Sequence, residues 1–204
     1  MIAAIVLAAG QSRRMGRNKL FLPYGESTVI DTIITELAVC ADVRDIVVVT
    51  GHQADRLTEH LATYPVRCVF NPEYAQAEML VSIQTGLRAL PNEVTAALIV
   101  LGDQPRLRRE IVQRVIDAAE SDTLIVPSYE MKRGHPILIP RSMWPSILTL
   151  PPEASLRDVI RAHADHIRYI TFDDDSVLRD IDTPEDYTAL FDRGDAETQR
   201  NSEV

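Results

Sequence analysis

Apolar and polar positions alternate between two periods along the chain, one typical of buried strands and the other of amphipathic helices. Short apolar runs bounded by turn residues predict strands at Ile2–Leu7, Ile46–Thr50, Arg67–Phe70, Ala96–Leu101, Thr123–Val126, Pro136–Ile139 and Ile167–Thr171. Apolar residues three and four positions apart predict helices at Thr28–Ala41, Gln53–Ala62, Met79–Leu90, Arg108–Ala119, Leu156–His163 and Pro184–Phe191. The pattern therefore predicts an α/β fold.

The repeated strand–helix units predict a Rossmann-like architecture, which is an open, mostly parallel sheet with helices on both faces. Ligands of such sheets lie beyond the carboxyl ends of the strands. We expect residues 1–191 to form a single domain, because no linker or internal repeat interrupts the pattern. Residues 192–204 are polar and lack apolar periodicity, which predicts a disordered tail.

The composition narrows the possible classes of function. With 204 residues, 46% of them hydrophobic, the chain can build one substantial core. Its formal net charge of −9 argues against general binding to nucleic acid, where a basic surface dominates affinity. No segment approaches the ~20 apolar residues of a membrane span. The two cysteines, Cys40 and Cys68, are too few for a disulfide framework. We therefore expect a cytoplasmic protein that binds neither nucleic acid nor membranes.

A cationic loop follows the first predicted strand. The segment from Gly10 to Lys19 contains three arginines and one lysine, although the protein as a whole is acidic. Gly10 and Gly16 allow the backbone to turn and to approach a ligand closely, and Ser12 can donate a hydrogen bond to a phosphate oxygen. The pattern indicates a polyphosphate site, and on spacing alone a basic surface loop after a strand is an equal alternative. Its spacing differs from that of a P-loop, in which the lysine directly follows the second glycine.

Acidic residues occur at the ends of two chain segments, and Asp103 in the first of them is a candidate ligand of a hard cation. Asp103 lies at the mouth of the apolar strand Ala96–Leu101, and Mg²⁺ binds proteins through one or two carboxylates plus phosphate oxygens of the substrate. Asp180 and Asp182 would point to the same side of an extended segment. The alternative for these aspartates is a role in turns and helix caps, with Thr183 as the N-cap of the last helix.

The segment Arg133-Gly134-His135-Pro136 is a candidate substrate loop, because glycine and proline constrain its backbone beside a cation and an imidazole. A lone histidine also commonly has a structural role, so this alternative stays open. The sequence has no Gly-x-Ser-x-Gly elbow and no histidine spacing typical of a zinc site. These absences argue against acyl transfer through a serine nucleophile and against zinc chemistry.

Taken together and in order, five motifs resemble those of the nucleotidyltransferases that activate the molybdenum cofactor, within the wider group of NTP transferases and pyrophosphorylases. The resemblance covers roughly residues 2–191. It depends on Leu7-Ala8-Ala9-Gly10, Ser12-x-Arg14-Met15-Gly16-x-x-Lys19, Gly102-Asp103-Gln104-Pro105, Gly134-His135-Pro136 and Asp180-Ile181-Asp182-Thr183-Pro184-Glu185-Asp186. The Leu-Ala-Ala-Gly segment is more similar to the cytidylyltransferase branch than to the guanylyltransferase branch.

The resemblance implies a role for each matched position. Leu7, Ala8, Ala9 and Gly10 would run along the base, and Ser12, Gly16 and Ser82 would belong to the nucleotide site. Arg14 and Lys19 would hold the triphosphate, while Asp103 and Asp182 would bind Mg²⁺. Gly134, His135 and Pro136 would contact the substrate. Lys19, Arg14 and Asp103 are thus the expected catalytic residues. Glu78 stands where relatives commonly have glycine, in a loop that the resemblance assigns to contacts with the base or the acceptor.

The function implied by the resemblance is transfer of CMP from CTP to a phosphorylated acceptor such as molybdopterin, with release of pyrophosphate. An ionised phosphate is already a nucleophile, so the chemistry needs alignment and charge neutralisation rather than a general base. A molybdoenzyme or chaperone is the implied protein partner. The alternatives are a sugar phosphate or other small phosphate as acceptor, a glycosyltransferase that uses a nucleotide sugar, and a non-catalytic nucleotide-binding module. The acceptor, the choice of CTP over GTP or ATP, and the oligomeric state stay open.

Overall fold

Strands and helices alternate in the structure as the hydrophobic pattern predicts. The structure is a computed structural model and describes residues 1–75 and 79–192. Glu78 and the predicted tail from residue 193 onward therefore lie outside the described residues. The strands are β1 (Ile2–Ala8), β2 (Pro23–Tyr24), β3 (Ser27–Thr28), β4 (Val43–Thr50), β5 (Arg67–Phe70), β6 (Ala96–Leu101), β7 (Leu124–Tyr129), β8 (Lys132–Arg133), β9 (Ile137–Pro140) and β10 (Ile167–Thr171). The α-helices are α1 (Val29–Ala38), α2 (Ala54–His60), α3 (Met79–Ala89), α4 (Arg109–Asp117), α5 (Trp144–Leu148), α6 (Leu156–Ala162) and α7 (Pro184–Asp192).

The main sheet has the strand order β10-β7-β9-β6-β1-β4-β5, and β8 pairs with β7 beside this path. The pairs β1–β4, β1–β6, β4–β5 and β7–β10 are parallel. Strand β9 runs antiparallel to β6 and β7, because the connection from β7 through β8 is too short for the crossover that a parallel pair requires. The predicted Rossmann-like, mostly parallel sheet is confirmed, with β8 and β9 as an antiparallel insertion.

Helices cover both faces of the sheet, as predicted. Alternate residues of β1 point to opposite faces, so Ala4 and Val6 pack in one apolar cluster with α1, α2 and α4. Ala3 and Ile5 pack in a second cluster with α3, α5 and α6. Within the described ranges, no helix combines the length and the apolar character needed to cross a membrane. Both faces of the central strands are therefore buried under helices, so a ligand can approach these strands only at their ends.

Several local features differ from the predicted elements, and the short strands β2, β3 and β8 were not predicted. Strand β7 continues past Pro127, where the sequence predicts its end, and the carbonyl of Pro127 accepts a hydrogen bond from the N–H of Gly134 at 2.8 Å. Helix α5 was not predicted, because its five residues are too few to show a helical period. The peptide bond between His135 and Pro136 is cis.

Candidate active site

A cleft of about 580 Å³ opens at the carboxyl ends of β1 and β6, the position expected for a ligand of this fold. The predicted nucleotide-binding positions that line it are Leu7, Ala8, Ala9, Gly10, Ser12, Arg14, Lys19 and Ser82. Both predicted metal ligands, Asp103 and Asp182, also line it. Arg13 of the cationic loop lines the cleft as well, and lining residues that the sequence did not single out include Gln11, Leu20, Tyr74, Ala75, Met79 and Leu101. The structure thus brings the cationic loop and the acidic residues into one cleft.

The cationic loop is shaped by its own hydrogen bonds. Ser12 has a left-handed backbone with φ 50°, and its carbonyl accepts from the N–H of Met15 at 3.0 Å. The Ser12 hydroxyl oxygen accepts from the N–H of Lys19 at 3.2 Å, which ties the two ends of the loop together. Met15 is buried and anchors the loop in the core. Gly16, with φ 66°, ends a single 3₁₀ turn at a backbone angle that favours glycine.

Lys19 lies between two carboxylates that come from distant parts of the chain. Its ammonium nitrogen is 2.5 Å from Oδ2 of Asp103 and 3.0 Å from Oδ1 of Asp182. Arg14 donates to the other oxygen of Asp182 at 2.8 Å. The side chain of Lys19 is only 13% exposed, whereas that of Arg14 is 70% exposed. The predicted convergence of Lys19, Asp103 and Asp182 is therefore present in the fold.

Burial and charge perturb the ionisation of these groups. Burial by itself would lower the pKa of Lys19, but the neighbouring Asp103 and Asp182 outweigh it and raise that pKa above its usual 10.5. Burial also raises the pKa of the Asp103 carboxyl, and the attraction of Lys19 offsets only part of this effect. The pKa of Asp180 is raised by burial and by the repulsion of Asp103 and Asp182. The cleft thus brings the carboxyl groups of Asp103, Asp180 and Asp182 close to the ammonium group of Lys19.

Main-chain contacts place Asp103 at the mouth of β6. The N–H of Gly102 donates to the carbonyl of Leu7 at 3.0 Å, which joins the ends of β6 and β1. A Cβ on Gly102 would lie 2.8 Å from that same carbonyl oxygen, so only glycine permits this approach. The carbonyl of Asp103 then accepts from the N–H of Ile181 at 3.1 Å, and this bond draws the second acidic region against the first.

The start of α7 is capped by residues other than the aspartates of the cleft. Thr183 accepts from the N–H of Asp186 at 3.2 Å, which confirms Thr183 as the N-cap. Asp186 in turn accepts from the N–H groups of Asp182 and Thr183, at 3.1 and 2.8 Å. Because Asp186 satisfies these donors, the carboxylate of Asp182 is left to face Lys19. Thr183 and Asp186, rather than Asp180 or Asp182, therefore cap the helix.

Three carboxylates in the cleft form a donor set that fits a divalent cation. One oxygen from each of Asp103, Asp180 and Asp182 lies within 4.8 Å of the others. Mg²⁺ and similar hard cations prefer such oxygen ligands, completed by water and by phosphate oxygens. Asp180 was noted in the sequence beside Asp182 but was not among the predicted metal ligands. Its alternation with Asp182 along the chain was the signal that could have included it.

Ser82 lies on the far wall of the cleft. Its hydroxyl oxygen accepts from the side-chain amide of the buried Asn71 at 3.0 Å, and Asn71 is tied to β4 through the carbonyl of Thr50 at 2.9 Å. Tyr74 follows this turn and forms part of the same wall. The sequence predicts that a strand ends at Phe70, but nothing in it indicates that Tyr74 faces the cleft.

Four predicted site residues are not among the described residues that line the cleft, namely Gly16, Gly134, His135 and Pro136. Gly134 and His135 instead contact the main chain of Val177, whose carbonyl accepts from the N–H of His135 at 2.9 Å. Burial lowers the pKa of His135 to about 4. Its Nε2 atom has no hydrogen-bond partner among the described residues. A substrate contact by these residues stays a prediction.

Comparison with known proteins identifies the family. Residues 4–167 match the family described as the MobA-like NTP transferase domain. The chain belongs to this family. The resemblance that the five motifs indicated is therefore confirmed, and the chain is assigned to the nucleotidyltransferase class of enzymes.

Relatives of this MobA-like domain match over nearly its whole length. The molybdenum cofactor cytidylyltransferase of Escherichia coli (strain K12) is 30% identical over 194 residues, covering 94% of this chain and 96% of that protein. The nicotine blue oxidoreductase of Paenarthrobacter nicotinovorans is 26% identical over 199 residues, covering 93% and 96%. The structure of Rv0371c from Mycobacterium tuberculosis H37Rv has a TM-score of 0.80 and 26% identity, covering 94% and 97%. That mycobacterial protein has also been solved in complex with manganese.

Proposed function

We propose that the protein transfers a nucleoside monophosphate from a nucleoside triphosphate to a phosphate group of a small acceptor, with release of pyrophosphate. The observation that carries this proposal is the meeting of Lys19 and Arg14 with Asp103 and Asp182 in one cleft. Cationic side chains can bind the triphosphate, and carboxylates can bind the divalent cation that accompanies it. Phosphoryl transfer depends mainly on positioning the reacting groups and on neutralising their charge.

The proposed reaction needs no nucleophile from the protein. An oxygen of the acceptor phosphate attacks the α-phosphorus, the bond between that phosphorus and the bridging oxygen breaks, and the electron pair leaves with pyrophosphate. Lys19 and Arg14 are then the groups that hold the triphosphate oxygens and neutralise charge as pyrophosphate departs. Main-chain N–H groups of the loop that begins at Gly10 add donors for the same oxygens.

We propose Mg²⁺ as the divalent ion, with Asp103, Asp182 and also Asp180 as the residues that would hold it. When bound, such an ion polarises phosphate oxygens and neutralises their charge. The three carboxylates would supply the ligands, and they line the same cleft as the cationic loop. The manganese complex of the mycobacterial relative supports a divalent ion in this architecture.

For the substrates, we propose CTP as the donor and a molybdopterin-type phosphate as the acceptor. The Leu-Ala-Ala-Gly segment and the similarity to the Escherichia coli cytidylyltransferase support both choices. In that setting the product would pass to a molybdoenzyme or its chaperone in the cytoplasm. A sugar phosphate or another small phosphate is the second candidate acceptor, since the same cleft chemistry serves either one.

A substrate panel tests the proposal. The protein is incubated with each of CTP, GTP and ATP, with Mg²⁺ and with a set of phosphorylated acceptors including molybdopterin, and pyrophosphate is measured. Pyrophosphate that depends on both CTP and the molybdopterin phosphate is the expected result. Consumption of a nucleotide sugar without pyrophosphate would indicate a glycosyltransferase. The Paenarthrobacter relative is named an oxidoreductase, and redox turnover without nucleotide transfer would contradict the proposal.

A further inference from the structure

The segment Gly134–Pro136 contacts the start of residues 177–182. We call these residues the acidic segment because they contain Asp180 and Asp182. The N–H of Gly134 donates to the carbonyl of Pro127 in β7 at 2.8 Å. The next residue, His135, donates its N–H to the carbonyl of Val177 at 2.9 Å. These two bonds connect the sheet directly to the first residue of the acidic segment.

The contact between Gly134 and Val177 leaves no room for a side chain. A Cβ placed on Gly134 would fall on the carbonyl oxygen of Val177 and lie 2.9 Å from its carbonyl carbon and from its Cβ. The obstructing atoms are mainly main-chain atoms, which cannot rotate away as the end of a flexible side chain could. Any larger residue at position 134 must therefore shift the main chain at this contact, which includes the backbone of Val177.

A movement at Val177 would be transmitted to the carboxylates. Val177 and Ile181 are almost fully buried, at 1% and 0% exposure, so the acidic segment is packed between them. The N–H of Ile181 donates to the carbonyl of Asp103, and Asp186 accepts from the N–H of Asp182. The acidic segment is thus held at its start by contacts with Gly134 and His135. At its other end it is held by the hydrogen bonds of the Ile181 and Asp182 N–H groups, next to the carboxylates that we propose bind the metal.

We propose that Gly134 and the main chain of His135 are positioning residues, which hold the acidic segment so that Asp180 and Asp182 meet Asp103 around one divalent cation. They act through Val177 rather than by touching the substrate. The inference rests on the proposed function only in requiring that these carboxylates bind a metal ion. The placement of the backbone at Ile181 does not depend on that requirement.

The first test compares Gly134→Ala with Gly86→Ala in the full chain. A Cβ on Gly86 would fall on the side chain of Ile5, so this control inserts a similar atom into the core, between α3 and β1. Mn²⁺ is titrated into each protein, and the free ion is followed by electron paramagnetic resonance. We expect Gly134→Ala to weaken Mn²⁺ binding ~10-fold or more, as is typical when a support of a metal ligand is removed. The control should keep the wild-type affinity.

A second pair of variants loosens the same contact without inserting an atom, in case Gly134→Ala does not fold. Val177→Ala is compared with Val94→Ala, because both valines are buried and Val94 precedes the amino end of β6, opposite the cleft. Hydrogen exchange of the Ile181 amide is measured together with Mn²⁺ affinity. We expect faster exchange and weaker Mn²⁺ binding in Val177→Ala, and neither change in Val94→Ala.

The outcomes separate the positioning role from the proposed metal site. Wild-type Mn²⁺ affinity and wild-type Ile181 exchange in folded Gly134→Ala or Val177→Ala would overturn the inference. Equal losses in the control variants would also overturn it, since they would reflect general destabilisation. If the wild-type protein binds no Mn²⁺, the metal part of the proposed function fails, and Ile181 exchange alone then decides whether Gly134 positions the segment.

Discussion

Replacing Lys19 by methionine should both destabilise the protein and make it respond more strongly to a divalent cation. Methionine keeps a long, unbranched side chain but removes the charge that lies between Asp103 and Asp182. Asp103 would then be a largely buried carboxylate without its counter-ion. A divalent cation could neutralise it, and in Lys19→Met that cation would not have to displace an ammonium group first.

The expected size of the effect follows from burial. The side chains of Lys19 and Asp103 are 13% and 17% exposed, and removing one partner of a buried ion pair typically costs about 3–5 kcal/mol. For a protein of this size each kcal/mol lowers the melting temperature by roughly 2–4 °C, so the loss should be roughly 6–20 °C. A divalent cation that binds only the folded protein, at one hundred times its dissociation constant, raises the free energy of unfolding by about 2.7 kcal/mol.

Scanning calorimetry with and without Mn²⁺ measures both parts of this prediction. Arg17→Met is the matched control, because it removes one positive charge from the same loop at an exposed residue whose guanidinium lies 6.0 Å from the ring of Tyr187. Mn²⁺ should raise the melting temperature of Lys19→Met by more than that of the wild type or of Arg17→Met. An unchanged melting temperature in Lys19→Met, or an equal response to Mn²⁺ in all three proteins, would show that Lys19 is not the counter-ion of this site.

Three further predictions concern the cleft and its supports. Asp103→Asn should retain the fold, and its turnover should fall ~10²–10³-fold because a charged contact to the reacting groups is removed. Steady-state assays of pyrophosphate release measure this, and near-wild-type turnover would exclude Asp103 from the site. The lowered pKa of His135, about 4 against 6.5 in the unfolded chain, means that protons bind preferentially to the unfolded state between these values. Stability should therefore fall by roughly 3 kcal/mol as pH drops from 7 to 4, and urea unfolding of His135→Gln should lack this component while the exposed-site control His166→Gln retains it. Thr183→Ala removes the N-cap of α7 and should cost about 1 kcal/mol; a melting temperature equal to that of the wild type would contradict the cap.

The meeting of Lys19, Asp103 and Asp182 could be predicted from sequence for a simple physical reason. Asp103 and the loop that contains Lys19 each follow an apolar strand, and neighbouring parallel strands end at the same edge of a sheet. The structure adds that β1 and β6 are direct neighbours. For Asp182, however, the argument from spacing left helix capping as an alternative, and only the resemblance assigned it to the metal.

Other features depend on contacts between segments that are distant in the chain, and no local pattern reveals them. The approach of Gly134 to Val177 is one such contact, and it explains why a glycine in a conspicuous motif need not touch the ligand. The antiparallel course of β9 follows from the hairpin of β7 and β8 rather than from its own apolar run. The hydrogen bond from the N–H of Ile181 to the carbonyl of Asp103, which holds the acidic segment against the end of β6, is another such contact.

The most direct measurement of the central claim is electron–nuclear double resonance of Mn²⁺ in the presence of the protein and a non-hydrolysable CTP analogue. One cation held by the carboxylates and by the triphosphate together should show phosphorus couplings on protein-bound manganese, and Asp103→Asn should abolish the protein-bound signal. Protein-bound manganese without phosphorus coupling would show that the carboxylates bind metal apart from the nucleotide, and would contradict the claim that the cationic loop and the aspartates hold one metal–nucleotide complex.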